Sequence, residues 1–152
     1  MKSFSSLLFF FFLVHFGLAQ NAHPEYDKAL ADSLQADEYG MKMYVLVILK
    51  SGETKIEDKN KVNELFRGHM DNINRLVEEH KLLVAGPMGE NQNNYRGIFI
   101  LDVKTIDEAK DLVDKDPAVN SGMLAADFYN WYGSAALPVY LETAKKITKE
   151  NH

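Results

Sequence analysis

The spacing of apolar residues changes repeatedly along this chain, and each change marks a predicted element. Residues 41–50, MKMYVLVILK, form a short and almost wholly apolar run. Met43, Val45, Val47 and Leu49 alternate there with Tyr44, Leu46 and Ile48. Such a run predicts a strand covered on both faces. SGET then turns the chain. From about residue 58 to residue 81 the spacing is helical, and Val62, Leu65, Phe66, Met70, Ile73, Leu76 and Val77 make one stripe. LLVAGPMG (82–89) reads as a second strand closed by Gly86 and Pro87, and ENQNN as a polar turn. YRGIFILDV (95–103) reads as a third strand that pairs with the second as a hairpin.

TIDEAKDLVDKDP opens on a capping box, Thr105 with Glu108, and turns Ala109, Leu112 and Val113 inward. This helix ends at Asp116, because a residue before proline disfavours helical geometry. GMLAADFYNWY (122–132) predicts a fourth strand. ALPVYLETAKKITK predicts a terminal helix, with Pro138 tolerated in its first turn. Ahead of the first strand, residues 20–40 are polar and acidic. Tyr26, Leu30 and Leu34 recur there at spacings of four, which suits a short helix ended by Gly40.

The predicted order is β-α-β-β-α-β over residues 41–133, with helical extensions at 20–40 and 134–152. This is the split βαβ, ferredoxin-like α+β pattern: a four-stranded antiparallel sheet with helices on one face. Two helices leave the other face bare, yet the first, third and fourth strands are apolar on both sides. A second copy of the chain is the simplest cover, so a homodimer with sheets packed face to face is expected.

Composition narrows the function. The chain has 152 residues, of which 46% are hydrophobic and 26% charged, which suits one soluble domain. It begins MKSFSSLLFFFFLVHFGLAQ. Lys2, the apolar run Leu7 to Phe16, and small Gly17 and Ala19 before a cut after Ala19 read as a secretory signal peptide. The run is short for a permanent anchor; an uncleaved N-terminal anchor is the alternative. The expectation is an exported protein, periplasmic or secreted. Loss of Lys2 with the leader takes the 17 basic residues to 16 against 22 acidic ones, so the net charge moves from −5 to −6. That balance argues against nucleic acid and anionic membranes, which want a basic patch. Cysteine is absent, which excludes a lipid-attached leader, thiol catalysis and cysteine metal sites. No HExxH, GxGxxG, phosphate loop or GxSxG occurs, and His69 and His80 are too far apart along one helix for a shared metal. No metal or cofactor is therefore expected.

One polar residue stands out against this background. His69 follows Phe66 by three and precedes Ile73 by four, so it lies on or beside the core stripe. Spacing alone leaves two readings: an interior histidine satisfied by the backbone, or the proton-handling group of a site. Asp116 before Pro117 has a similar pair of readings, because Asp-Pro is a common turn former. Tyr44 and Trp131 read as core or dimer contacts that could also wall a cavity. Gly86 and Pro87 end a strand and could line a pocket. Arg96 near the hairpin could meet an anionic substrate or simply be a solvated rim charge. His80 closes its helix near the C-terminal dipole.

In order and spacing, GHMDNINRLVEEHKLLVAGP followed by IDEAKDLVDKDPAVNSGMLAADFYNW resembles the YCII-related proteins. Their pattern is a helix histidine, a strand LL-x-AGP, then A-x-x-DP-x-x-x-x-G. The matching positions are His69, Leu82 to Pro87, Asp116 with Pro117, and Gly122. The resemblance covers roughly residues 41–132. It implies a homodimer of the dimeric α/β-barrel type and a site pairing His69 with Asp116. It also implies acid–base chemistry on small organic molecules, such as lactone isomerisation or elimination of chloride. Two expectations follow: a small-molecule enzyme using His69 and Asp116, with Tyr44, Gly86, Pro87, Arg96 and Trp131 as ligand contacts, or a non-catalytic ligand-binding or envelope interaction module on the same fold.

Overall fold

The computed structural model describes residues 25–149. The predicted leader and its cleavage site lie outside those residues. Four strands, β1 (Met41–Ser51), β2 (Leu82–Pro87), β3 (Tyr95–Leu101) and β4 (Leu124–Ser134), form one antiparallel sheet in the order β2-β3-β1-β4. The long helix α2 (Lys59–Glu78) joins β1 to β2. Helices α3 (Ile106–Val113) and α4 (Pro117–Asn120) join β3 to β4. A short helix α1 (Lys28–Ser33) precedes the sheet, and a 3₁₀ turn (Leu137–Val139) leads into α5 (Tyr140–Ile147) at the end. This is the ferredoxin-like order expected from the sequence.

The core follows the two periodicities. Val45, Val47 and Leu49 of β1 face Leu76 of α2, Val113 of α3 and Ala118 of α4, with Phe99 and Leu101 of β3 beside them. Side chains alternate along a strand, so every second residue of β1 and β3 joins this layer. Asp58 caps α2, its Oδ1 accepting from the Asn60 amide at 2.8 Å. At the other end His80 takes the left-handed conformation at φ 55°, and the Lys81 amide donates back to Leu76 O. That is a Schellman-type stop with histidine in the usual glycine position.

Three local details differ from the sequence reading. α1 stops at Ser33, after which Gln35 becomes left-handed; Gly40, at φ 72°, instead makes the turn into β1. The helix that begins at Thr105 ends at Val113. Asp116 both separates it from α4 and starts α4, because an Asp N-cap followed by a proline is a good helix beginning. The capping box is displaced by one residue: Thr105 Oγ1 accepts from Glu108 N, but Glu108 Oε2 reaches the amide of Lys104.

The second sheet face is partly covered by the chain itself. Tyr44, Leu83 and Ile100 are buried there, with Leu137 and Leu141 packed over them. The Tyr140 hydroxyl donates to Leu83 O at 2.6 Å and ties α5 to the edge strand. Part of the cover that the sequence reading assigned to a second copy is thus supplied by α5. Beyond α5, Leu46, Ile48 and Ile98 remain partly exposed, and Tyr129 is 47% exposed. Among the described residues no helix is long and apolar enough to cross a membrane.

Candidate active site

α2 buries one stripe made of Leu65, His69, Asn72 and Leu76. The middle of that stripe is polar, which is costly unless partners are found. His69 finds one at long range. Its Nδ1 lies 2.5 Å from Oδ2 of Asp116, although 47 positions separate the two residues. Asp116 is fully buried, and its other oxygen accepts from the Ala118 amide at 2.9 Å. The carboxylate therefore serves two structures at once, capping α4 and holding the imidazole. An ionised carboxylate only accepts, so Nδ1–H donates to it, and in the neutral imidazole it is then Nε2 that carries the lone pair.

Two aromatic rings fix the plane of the imidazole. Phe99 of β3 stacks on it with ring centroids 6.0 Å apart, and Phe66 meets it edge-on at the same separation. A close approach of backbone makes the pairing possible. A Cβ on Gly68 would sit 2.7 Å from Pro117 Cγ, so the glycine lets α4 come against α2 directly beside His69. The end of α4 is held in turn by Gly122, at φ 75°, whose carbonyl accepts from the Thr54 amide.

Two polar atoms of the stripe, His69 Nε2 and Asn72 Nδ2, lack partners among the described residues. Among the described residues no group bonds His69 Nε2, and the side chain keeps 10% of its surface accessible. Asn72 Oδ1 accepts from Arg75 at 2.7 Å, while its Nδ2 is buried with no partner among the described residues. Asn72, Gly68, Phe66 and Phe99 were not singled out as site residues by the sequence. A signal for Asn72 was present: a second polar residue, one turn after His69, on an otherwise apolar stripe.

The other positions read as ligand contacts scatter. Pro87 pairs with Gly97, two residues from Phe99, and so shares the face of His69. Gly86 pairs with Ile98 on the opposite face, and Arg96 is exposed at a bulge, where Leu49 pairs with Gly97 and Lys50 with Tyr95. Tyr44 and Trp131 pack together on the far face, with ring centroids 5.8 Å apart. Strand alternation thus removes Tyr44, Gly86 and Trp131 from the His69 side. Two surface hollows, of about 600 and 660 Å³, meet at His80 and Asp102; neither touches His69 or Asp116.

The sheet order, α2, α3 and α4 on one face, and a buried histidine–carboxylate pair between α2 and α4 define a ferredoxin-like α+β protein with a candidate acid–base site. More particularly, the chain belongs to the YCII-related domain family, whose model matches residues 43–127. No curated protein matches it. Among solved structures it is similar to the 5-chloro-2-hydroxyhydroquinone dehydrochlorinase of Burkholderia phenoliruptrix AC1100, in complex with 2,5-dihydroxybenzoquinone. The identity is 19%, the TM-score 0.41, and the match covers 57% of this chain and 92% of that one. A likeness of that order does not transfer an activity.

Proposed function

We propose that this chain is an exported, homodimeric small-molecule enzyme in which His69 is the general acid–base and Asp116 positions it. The reaction class is elimination or isomerisation next to a carbonyl, on a small organic acid or lactone. The observation that carries this reading is the arrangement of the imidazole. Asp116 occupies Nδ1, two phenyl rings hold the ring plane, and Nε2 is left with a lone pair and no partner among the described residues. A neutral imidazole takes a proton near physiological pH, and a carboxylate on the far nitrogen stabilises the cation that forms. Removing a proton beside a carbonyl needs such a base and little else. The homodimer is supported by the apolar strip of Leu46, Ile48, Ile98 and Tyr129 that α5 leaves uncovered.

The test is deuterium wash-in, followed by proton NMR, at the carbon next to the carbonyl in a panel of small oxo acids and lactones. Wild-type protein accelerates exchange for at least one member, and His69→Gln abolishes the acceleration. Equal exchange by the variant, or no exchange across the panel, removes the base assignment.

A second reading has one observation in its favour. Both hollows lie at the His80 end of the molecule, away from the pair. A non-catalytic ligand-binding or envelope interaction module would use those hollows and keep His69–Asp116 as an internal brace. Under that reading a bound small molecule perturbs NMR signals around His80 and Asp102 and leaves those of His69 unmoved.

A further inference from the structure

We infer that Asn72 is the oxyanion donor of the same site, so that its ligand carries a carbonyl oxygen beside the carbon from which His69 takes a proton. The inference rests on the reading of His69 as base. Three observations carry it. Asn72 is 6% exposed, and its Nδ2 is a fully buried donor without a partner among the described residues. Such a donor costs stability and is rare in a settled core. The amide cannot relieve this by flipping. Arg75 donates to Oδ1 at 2.7 Å and is itself held by Glu79 at 2.8 and 2.9 Å, which fixes the oxygen side and leaves NH₂ turned away from the arginine. Lastly, Asn72 follows His69 by one helical turn on the same buried stripe. Residues so spaced have Cβ atoms about 5–6 Å apart, which lets two side chains converge on one C–C=O unit.

The step then balances without a further reactant. Nε2 takes the proton, the C–H electron pair becomes the new C=C bond, and the carbonyl π pair moves onto oxygen. Asn72 Nδ2–H meets that oxygen as its charge grows, where a fixed donor in a dry site acts most strongly. The proton on Nε2 returns to another carbon in an isomerisation. In an elimination the enolate pair expels a leaving group instead.

The probe is 4-nitrophenolate, an aromatic enolate mimic whose absorbance reports its ionised form. Wild-type protein binds it. Asn72→Asp, which keeps an oxygen for Arg75 but turns the donor into a charged acceptor, weakens binding of the anion by about tenfold or more, from the lost hydrogen bond and the added repulsion together. Asn72→Leu, which removes the amide altogether, weakens it similarly and leaves the melting temperature of the ligand-free protein equal or higher. Several outcomes overturn the proposal. If His69→Gln loses the probe while both Asn72 variants keep it, Asn72 is not the donor and the base assignment stands. If Asn72→Leu lowers the melting temperature by several degrees, the amide is an internal structural group. If none of the variants alters binding, or the wild-type protein binds no probe at millimolar concentration, the donor and the base assignment both fall.

Discussion

His69 on α2 and Asp116 at the start of α4 are joined by a 2.5 Å contact in which the carboxylate is fully buried. One oxygen of Asp116 holds the imidazole and the other caps a helix, so the pair links two elements that the chain order keeps apart. Asp116→Ala strands the Ala118 amide and the His69 Nδ1–H in a dry site. The expected loss is about 3 kcal/mol, from one cap and one buried donor. Asp116→Asn keeps an oxygen for one of the two donors and costs less. Urea unfolding of the three proteins measures both values, and a loss below about 1 kcal/mol for the alanine variant contradicts the structure.

Gly68→Ala separates packing from propensity. Alanine in a helix interior is favoured over glycine by about 1 kcal/mol, so propensity alone predicts a gain. The contact of 2.7 Å between the added Cβ and Pro117 Cγ predicts the reverse. Either α4 shifts or both helices strain, at a net cost of about 1–2 kcal/mol. Nitrogen chemical shifts of His69 report whether the bond to Asp116 lengthens at the same time. A higher melting temperature together with an unchanged histidine spectrum excludes this role for Gly68.

The two rings around His69 differ in burial, and their substitutions differ accordingly. Phe99 is 2% exposed and belongs to the main core, whereas Phe66 is 47% exposed. Phe99→Ala is expected to cost about 3–5 kcal/mol through the cavity it leaves. Phe66→Ala removes an edge contact at the surface and costs about 1 kcal/mol or less. Thermal unfolding ranks the two, and equal losses contradict the burial pattern.

The N-terminal extension is fastened to β4 by a pH-sensitive clasp. The Tyr132 hydroxyl donates to the Asp37 carboxylate, and the amides of Met41 and Tyr39 donate to it as well. The hydroxyl first, and then the amides, hold Asp37 below its ordinary value of 3.8. The same carboxylate pushes Tyr132 up to about 12. A lowered carboxyl stabilises the clasp above its ordinary value and ceases to as pH falls through the lowered one. A raised phenol stabilises it below 10.0 and ceases to as pH climbs through about 12. The clasp's contribution is thus full between roughly pH 4 and 10 and is lost progressively on either side of that window. Hydrogen exchange of residues 25–40 reads this directly. Tyr132→Phe accelerates exchange at neutral pH, and a variant as protected as the wild type removes the clasp.

The order of elements along the chain and most element types were legible in the amino-acid pattern, because they depend on neighbours along the chain. The apolar run over residues 41–50 specified β1 and helical spacing from Val62 to Val77 specified α2, whereas the Asp-Pro step gave a helix end at Asp116 and no sign of α4. The stop at Gly40 was misplaced: a helix end depends on which residue turns left-handed, and Gln35 does so first.

What only the tertiary structure decided is which polar groups meet. Spacing marked His69 as a polar residue on an apolar stripe and left its role open. The packing of α4 against Gly68 put Asp116 on Nδ1 and left Nε2 and Asn72 Nδ2 without partners among the described residues. Strand alternation sent Tyr44 and Trp131 to the far face, and the fold laid α5 over part of that face. A periodicity records the few residues that one turn or one pleat brings side by side. A contact across 47 positions depends on how two packed layers settle, and no local spacing encodes that.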